Sequence, residues 1–321
     1  MTSLNLVVGA VTQEAEAIRS FELARADGGP LPAFEAGAHI DVQVPDGPVR
    51  QYSLLNDDRE RHRYVIAVLR DAAGRGGSIA MHDAVRPGKR IAVSPPRNAF
   101  ALDKTPGPVA LVAGGIGVTP LLSMARRLCA DGREFAMHFA TRSIARTPFR
   151  REISQAPFAP CVRFYHDDAL PSARFDIQRM VDGLPLGAHV YLCGPTGFMD
   201  AVAGAVRKRA DLVLRTEYFA APVVQRDEDE GGDGFELVLA RSGDRAHVPP
   251  GVSILEILRR CGVETETSCE QGICGTCMRT VLAGEIDHRD HYLSPGEKAR
   301  GDRMLICVSR GKPGATLTID L

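Results

Sequence analysis

Hydrophobic and polar residues of the first hundred positions form short segments separated by Gly and Pro. Residues 39–44 alternate between apolar and polar at a period of two, and residues 64–69 and 90–93 form further short apolar segments. Alternation and frequent turns are typical of antiparallel strands. We therefore expect residues 1–105 to form a small antiparallel β-barrel domain.

From residue 106 the pattern changes to strands that alternate with helices. An apolar run at 109–113 leads into a Gly-rich turn and a helical pattern over 120–130. The same pattern predicts strands at 135–140, 162–165, 189–193 and 212–218, and a helix over 198–209. Alternating strands and helices favour a parallel sheet, so residues 106–220 are predicted to be an α/β domain.

The remaining residues are predicted to be a linker and a third domain. Residues 221–234 contain Pro and then acidic residues and Gly, which is linker composition. In residues 235–321 we expect strands at 235–240, 278–282, 304–308 and 316–319. A short helix over 254–260 would begin at Ser253, which suits an N-cap. The fold class is thus multidomain, with an α+β domain last.

Composition excludes several function classes. Of 321 residues, 44% are hydrophobic and 25% charged, and the net charge is -1. The chain lacks the excess of basic residues that would indicate binding to nucleic acid or to an anionic membrane. The apolar runs are far shorter than the roughly 20 residues that span a bilayer. The first twenty residues lack a basic segment followed by an apolar run, so we expect a soluble, cytoplasmic protein.

Four of the eight cysteines form one pattern near the C-terminus. Cys269, Cys274 and Cys277 follow the spacing Cys-x4-Cys-x2-Cys, and 29 residues separate Cys277 from Cys307. This is the plant-type [2Fe–2S] spacing, which indicates a ferredoxin-like domain. Zinc is the alternative, but zinc sites usually pair two short Cys-x2-Cys knuckles. We expect three ligands from one loop and the fourth from a distant strand.

Two Gly-containing turns follow predicted strands of the α/β domain. The first covers residues 114–120, and the second covers residues 193–197. Backbone amides at a helix N-terminus favour a pyrophosphate, so the two turns predict a dinucleotide site at one sheet edge. The first turn is not the usual G-x-G-x-x-G motif, and a turn without a ligand remains the alternative. Its candidate residues are Gly114, Gly115, Gly117, Thr119, Pro120, Cys193, Gly194 and Pro195.

Two segments of the barrel have residue types that suit a flavin. Arg50 can pair with a phosphate, Tyr52 can pack on a flat ring, and Ser53 can hydrogen-bond a ring edge, with Leu54 next in sequence. Residues 74–78 precede a helix expected near Ile79 and resemble an anion-binding nest, with candidates Arg75, Gly76, Gly77 and Ser78. An ordinary strand and a plain loop are the alternatives.

Taken together, these motifs resemble the phthalate dioxygenase reductase family over essentially the whole chain. The matching stretches are residues 50–54, 74–78, 96–100, 114–120, 193–195 and 269–277. The order of flavin barrel, nucleotide domain and ferredoxin domain is itself a feature of that family. The resemblance implies a β-grasp ferredoxin domain, FMN, NADH, one [2Fe–2S] cluster and a separate Rieske-type non-haem iron oxygenase as the partner.

The resemblance also implies roles for single residues. Arg50, Tyr52 and Ser53 would contact flavin, and Cys193 would lie near the nicotinamide. Glu217 and Phe219 resemble a family Glu-x-Phe near the flavin. Thr141 and Arg142 follow the second strand of the nucleotide domain, and Ser143 stands where some NADH users have an acidic residue. NADPH therefore stays open, and FMN over FAD depends on the resemblance alone.

The functional hypothesis is an NADH-dependent reductase, monomeric, that passes single electrons through FMN and the cluster to the oxygenase. No side-chain acid or base is required for hydride transfer, because the cofactors supply the chemistry. The first alternative is a stand-alone NADH:acceptor reductase that acts on a quinone or a ferric chelate. The second is a redox sensor, which needs no dinucleotide turn.

Overall fold

The computed structural model describes residues 3–45, 47–74, 76–219 and 234–321. The chain divides into two units, Met1–Phe219 and Ala220–Leu321, which are described separately below. Most of the segment predicted to be a linker, together with Arg75, lies outside the described residues. In the part of the chain that is described, no helix is both long and apolar enough to cross a membrane.

The first unit begins with a six-stranded sheet whose neighbouring strands are all antiparallel, in the order β4-β3-β6-β1-β2-β5. A hydrogen bond of 3.0 Å from the Leu55 amide to the Val65 carbonyl joins the ends of the two edge strands, as expected for a barrel. Its elements are β1 (Leu4–Ala15), β2 (Ile18–Ala24), β3 (His39–Gln43), β4 (Val49–Ser53), β5 (Tyr64–Leu69), α1 (Gly77–Ala84) and β6 (Arg90–Val93).

The β1–β2 hairpin is the part of this sheet that the sequence pattern does not delimit. Its turn contains Glu16 and Ala17, and Ala17 adopts a positive φ of 60°. Alanine rarely adopts this conformation, and no Gly, Pro or Asn marks the turn. The turn is therefore not visible in the sequence.

The first unit continues with a five-stranded sheet in which all neighbours are parallel, in the order β11-β10-β7-β8-β9. Its strands are β7 (Val109–Gly114), β8 (Phe135–Thr141), β9 (Val162–His166), β10 (His189–Cys193) and β11 (Val213–Glu217). Its helices are α2 (Val118–Ala130), α3 (Arg150–Gln155), α4 (Ile177–Asp182) and α5 (Thr196–Val206), with 3-10 turns at Gly115–Gly117, Ile144–Arg146, Ala159–Cys161 and Pro171–Ala173. The helix predicted at 198–209 thus lies at Thr196–Val206.

Helix α2 is tied to the segment of the barrel that follows β4. Arg127 makes a two-point ion pair with Asp58, with distances of 2.9 Å and 2.6 Å. The same carboxylate accepts the Ala36 amide at 3.1 Å, and the Ser123 hydroxyl donates to the Asn56 carbonyl at 3.1 Å. Asp58 is buried. The middle and the last part of α2 are therefore held against the segment that follows β4.

The second unit is a mixed sheet in the order β13-β12-β18-β14-β16, covered by one main helix. Only the β12–β18 pair is parallel in this sheet. The elements are β12 (Phe235–Leu239), β13 (Arg245–Val248), α6 (Ile254–Arg260), β14 (Met278–Ala283), β15 (Ile286–Asp287), α7 (Pro295–Arg300), β16 (Arg303–Leu305), β17 (Arg310–Gly311) and β18 (Thr316–Ile319). Ser253 caps α6 as predicted, since its hydroxyl accepts the Glu256 amide at 3.1 Å.

One element of this unit differs from the prediction, because Cys307 does not lie on a strand. Strand β16 ends at Leu305, and the amides of Val308 and Ser309 both donate to the Leu305 carbonyl, at 3.2 Å and 2.9 Å. These bonds close a turn at 306–308. The fourth cysteine is thus presented by a turn at the end of a strand.

Candidate functional site

The two Gly turns of the parallel sheet pack directly against each other. A Cβ on Gly117 would lie 2.4 Å from the Cys193 carbonyl oxygen, and a Cβ on Gly194 would lie 3.0 Å from the Gly114 Cα. These positions need Gly because the backbones of the two turns touch. Gly115 differs, because it adopts a φ of 54° and a Cβ there would meet open space. The open side of the first turn is therefore at Gly115.

The helices that follow these turns begin without a side-chain cap. No described side chain caps the 3-10 turn at Gly115–Gly117, α2 or α5, and α5 is preceded by Pro195. Thr119 is buried and its hydroxyl donates to the Ile116 carbonyl at 3.1 Å. Pro120 is buried as well. The two side chains thus support the turn, and the backbone amides are the groups left to bind an anion.

Ser53, Cys193 and Glu217 come together at the carboxyl edge of this sheet. The parallel register of β10 and β11 pairs Cys193 with Glu217. Ser53, at the end of β4 in the barrel, donates its hydroxyl to Glu217 Oε2 at 3.4 Å. The sequence placed these three residues in separate motifs 24 to 164 residues apart, and the fold makes them neighbours.

This group of three has an unusual charge state. Desolvation raises the pKa of Glu217 to about 8, and the hydrogen bond from Ser53 opposes only part of that rise. The carboxyl is therefore mainly protonated at neutral pH. Cys193 is fully buried, and burial together with the nearby Glu217 raises the pKa of its thiol. Neither group carries a charge there at pH 7.

The two flavin motifs of the barrel also meet in space. The Cγ and Nε of Arg50 lie 3.1 Å from where a Cβ on Gly77 would be. Gly77 begins α1, which no described side chain caps, and Gly76 before it has a φ of 83°. The Ser78 hydroxyl accepts the Asp71 amide at 3.0 Å. A guanidinium beside uncapped helix amides is a suitable site for a phosphate group.

The remaining residues of the first motif have different environments. Tyr52 is half-buried, and desolvation raises the pKa of its phenol to about 12, so the ring is neutral. Leu54 is fully buried in the barrel core and its amide donates to the Ala38 carbonyl at 2.8 Å. Its side chain therefore packs in the barrel core.

Three further candidates are Thr141, Arg142 and Phe219. Thr141 is buried and its hydroxyl bonds His166 Nδ1 at 2.9 Å. Arg142 is exposed and makes no ion pair with any described residue. Phe219 is 41% exposed at the end of the first unit. No hydrogen bond or ion pair among the described residues connects these three to the group.

Four of the five cysteines of the second unit form two contacting pairs. The thiols of Cys269 and Cys274 share a hydrogen bond, and so do those of Cys277 and Cys307. Each bond raises the pKa of one thiol of the pair and lowers the pKa of the other. The pKa of Cys274 falls to about 5 for this reason. Two pairs of thiols fit a two-iron cluster, because each iron needs two cysteine ligands besides the bridging sulfides.

The backbone of the cysteine loop has the conformations that such a site needs. Glu270, Gly272 and Gly275 all have a positive φ. Glu270 is held there by Arg259, at 2.5 Å, and the Gln271 amide points to Cys269 Sγ at 3.4 Å. Amides that donate to sulfur stabilise the negative charge of a cluster. Asp290 and Tyr292 also pack against this loop, and no motif or spacing in the sequence marks them.

Comparison with known proteins agrees with this geometry. The family described as 2Fe-2S iron-sulfur cluster binding domain matches residues 237–312. The vanillate O-demethylase oxidoreductase of Pseudomonas sp. (strain HR199 / DSM 7063) is 41% identical, over 99% of this chain and 100% of its own. The phthalate dioxygenase reductase of Burkholderia cepacia is 43% identical, over 99% of this chain and 97% of its own.

A solved structure extends the likeness to three dimensions. It is described as phthalate dioxygenase reductase, a modular structure for electron transfer from pyridine nucleotides to [2Fe–2S]. It superposes with a TM-score of 0.72 at 42% identity, over 99% of this chain and 98% of that one. The three-part fold and the resemblance predicted from the motifs are thereby confirmed. The chain belongs to the phthalate dioxygenase reductase family and is an oxidoreductase with a C-terminal [2Fe–2S] domain.

Proposed function

We propose that this protein transfers electrons from NADH through FMN and one [2Fe–2S] cluster to a Rieske-type oxygenase. The observation that carries the proposal is the contact between Ser53 of the barrel and Glu217 of the nucleotide domain. It lies beside Cys193 at the sheet edge where dinucleotides bind in open α/β folds. Residues 1–105 would hold FMN, residues 106–220 NADH, and residues 235–321 the cluster.

The chain's own residues would bind and orient the cofactors. Arg50 and the amides at the start of α1, which follows Gly76 and begins at Gly77, supply positive charge for the FMN phosphate. Arg75, predicted from the sequence, would add to it. Tyr52 offers a neutral ring for packing on a flat ligand. The amides around Gly115 and the amide of Gly194 would receive the NADH pyrophosphate, with Pro195 next in the second turn. Arg142 would contact the adenosine end.

Glu217 and Ser53 would hold a proton beside the flavin. Bound FMN supplies hydride acceptance and single-electron release, which no amino-acid side chain provides. Glu217 holds a proton at its carboxyl below about pH 8, and the Ser53 hydroxyl bonds that carboxyl. The buried Cys193 thiol excludes water from the same edge. Phe219 stands two residues after Glu217, and its exposed aromatic ring would lie near the flavin.

The cluster would be bound by the two cysteine pairs, Cys269 with Cys274 on one iron and Cys277 with Cys307 on the other. Such a cluster accepts one electron at a time. The relatives named as a vanillate O-demethylase oxidoreductase and a phthalate dioxygenase reductase support an oxygenase as the final acceptor. We propose a cytoplasmic monomer that meets this partner transiently.

The decisive experiment measures electron delivery to an oxygenase. The purified protein, with NADH, is combined with the oxygenase encoded beside its gene, and product is followed at steady state. Turnover that needs both proteins is the expected result. Rapid reduction of quinones or ferric chelates without support of any oxygenase would favour the stand-alone reductase instead. Acid release and chromatography of the flavin distinguish FMN from FAD, and matched NADH and NADPH reactions identify the coenzyme.

A further inference from the structure

One loop of the second unit, residues 288–293, packs against both glycines of the cysteine loop. We call it the cover loop. The His291 amide donates to the Gly272 carbonyl at 3.0 Å. A Cβ on Gly272 would lie 3.2 Å from the Asp290 Cα, and one on Gly275 would lie 2.5 Å from the Tyr292 ring. The cover loop therefore touches the backbone between the first three cysteines.

A buried carboxylate holds the cover loop in place. The Asp290 side chain has no exposed surface, and its Oδ2 accepts the amides of Tyr292 at 3.2 Å and Leu293 at 2.8 Å. Its Oδ1 accepts the Ser309 hydroxyl at 3.3 Å and lies 3.4 Å from His288 Nδ1. Lys298 lies 3.8 Å from Oδ2. A buried carboxylate with this many donors is a structural tie, because leaving them unpaired would be costly.

The same carboxylate reaches the segment that carries the fourth cysteine. Ser309 follows Cys307 by two residues, and its hydroxyl also accepts the Arg289 amide at 3.2 Å. Asp290 thus connects the turn of Cys307 to the loop that covers Cys269 to Cys277. Cys269 and Cys274 both lie in the cysteine loop. The other pair joins Cys277 of that loop to Cys307 of the turn.

We propose that Asp290 is the positioning residue of the [2Fe–2S] site and that the Tyr292 ring limits access of water to the cluster. This inference rests on the proposed binding of a cluster by the four cysteines. Tyr292 is 38% exposed, so its ring forms the boundary between the cysteine loop and solvent. Reduction adds negative charge to a cluster, and exclusion of water disfavours that charge.

The first test uses Tyr292. Replacing Tyr292 by Ala admits water, so the one-electron equilibrium should shift toward the reduced cluster by threefold to tenfold in an EPR-monitored redox titration. Tyr292→Phe keeps the ring and should match the wild type. An unchanged midpoint in Tyr292→Ala would refute the role of the ring. The ring lies at the surface, so this variant is expected to fold.

The second test uses Asp290. In Asp290→Asn, an amide nitrogen replaces one acceptor oxygen and faces N–H or O–H donors, so the cover loop should detach. We expect cluster loss to a chelator, followed by visible absorbance, to be at least fivefold faster. Asp320→Asn is the control, because Asp320 is a more exposed carboxylate paired with Arg241. Equal rates in the two variants would overturn the proposal.

Two further measurements separate the possible failures. If Asp290→Asn does not accumulate, Ser309→Ala removes one of the same bonds and should speed cluster loss at least twofold; a wild-type rate would again refute the tie. NADH reduction of the flavin should stay at the wild-type rate in every variant that folds. A wild-type protein without any [2Fe–2S] EPR signal would refute the proposed function itself rather than the role of Asp290.

Discussion

Ser53 Oγ lies 3.4 Å from Glu217 Oε2, and this contact joins the end of a barrel strand to the last strand of the parallel sheet. The carboxyl is protonated at neutral pH, because desolvation raises its pKa from 4.5 to about 8. Between these two pH values, the Glu217 carboxyl therefore carries a proton in the folded protein that it loses in the unfolded chain.

That proton gives a pH dependence of stability with a definite sign. Stability should fall as pH rises from 4.5 to about 8, by about 1.4 kcal/mol per pH unit from this group alone. Glu217→Gln keeps the shape without the titration and should remove this slope. Urea unfolding of both proteins from pH 5 to 9 measures the difference. Parallel slopes for the two proteins would contradict the assignment.

Cys277→Ser should separate the two halves of the electron path. Loss of one ligand should abolish reduction of cytochrome c or of an oxygenase, because the cluster is their electron donor. Stopped-flow reduction of FMN by NADH should remain near the wild-type rate. Cys261→Ser is the matched control, since Cys261 is exposed and outside both cysteine pairs. Loss of flavin reduction in a folded, FMN-loaded Cys277→Ser protein would exclude the sequential path.

Arg50→Ala should weaken flavin binding. The guanidinium next to Gly77 supplies a charge-assisted hydrogen bond to a phosphate, a contribution of about 1.5–3 kcal/mol. The dissociation constant for FMN, measured by flavin fluorescence, should rise at least tenfold. Arg70→Ala is the control, because Arg70 forms an exposed pair with Asp83 of α1. Equal affinities of the two variants would remove Arg50 from the site.

Gly117→Ala should destabilise the nucleotide-binding edge. The new methyl would lie 2.4 Å from the Cys193 carbonyl, so the two turns must separate, at a cost of about 1–3 kcal/mol. Gly204→Ala is the matched control: Gly204 lies in α5 with open space around it, and Ala there should stabilise the helix by about 0.5–1 kcal/mol. Thermal unfolding measures both changes, and a neutral Gly117→Ala would show that the turns do not touch.

Arg127→Ala should destabilise the first unit strongly. It leaves the buried Asp58 carboxylate without its partner, which costs on the order of 3 kcal/mol. Asp131→Asn removes only the exposed contact of the same guanidinium, at 3.5 Å, and should change stability by less than about 1 kcal/mol. Urea unfolding compares the two. Similar changes in the free energy of unfolding would mean that the buried Arg127–Asp58 pair does not contribute to stability.

The sequence predicted those parts of the fold that a local pattern determines. Parallel strands such as 109–113 are continuous apolar runs, and the cysteine spacing is specific to one kind of cluster, so both are readable in one dimension. The Glu16–Ala17 turn and the turn at Cys307 were missed, because neither contains the residues that usually mark a turn. Where tertiary contacts impose a backbone conformation, the local sequence does not predict it.

The site was predicted as separate motifs, and their assembly was not predictable. Nothing in the sequence indicates that Ser53 bonds Glu217, or that Arg50 lies against Gly77. Leu54 and Thr119 were included because they stand inside motifs, yet their side chains are buried in packing contacts. A motif identifies a segment, and only the fold tells which of its side chains face outward.

The ties between α2 and the segment after β4 have a practical meaning for protein engineering. Ser123 and Arg127 reach across to Asn56 and Asp58, so the barrel and the nucleotide-binding sheet share one set of complementary residues. A hybrid that replaces residues 106–219 by those of a relative with another coenzyme preference would break this set unless the donor carries the same residues. A stable hybrid would therefore need residues 56–58 and residues 123–127 to come from the same protein.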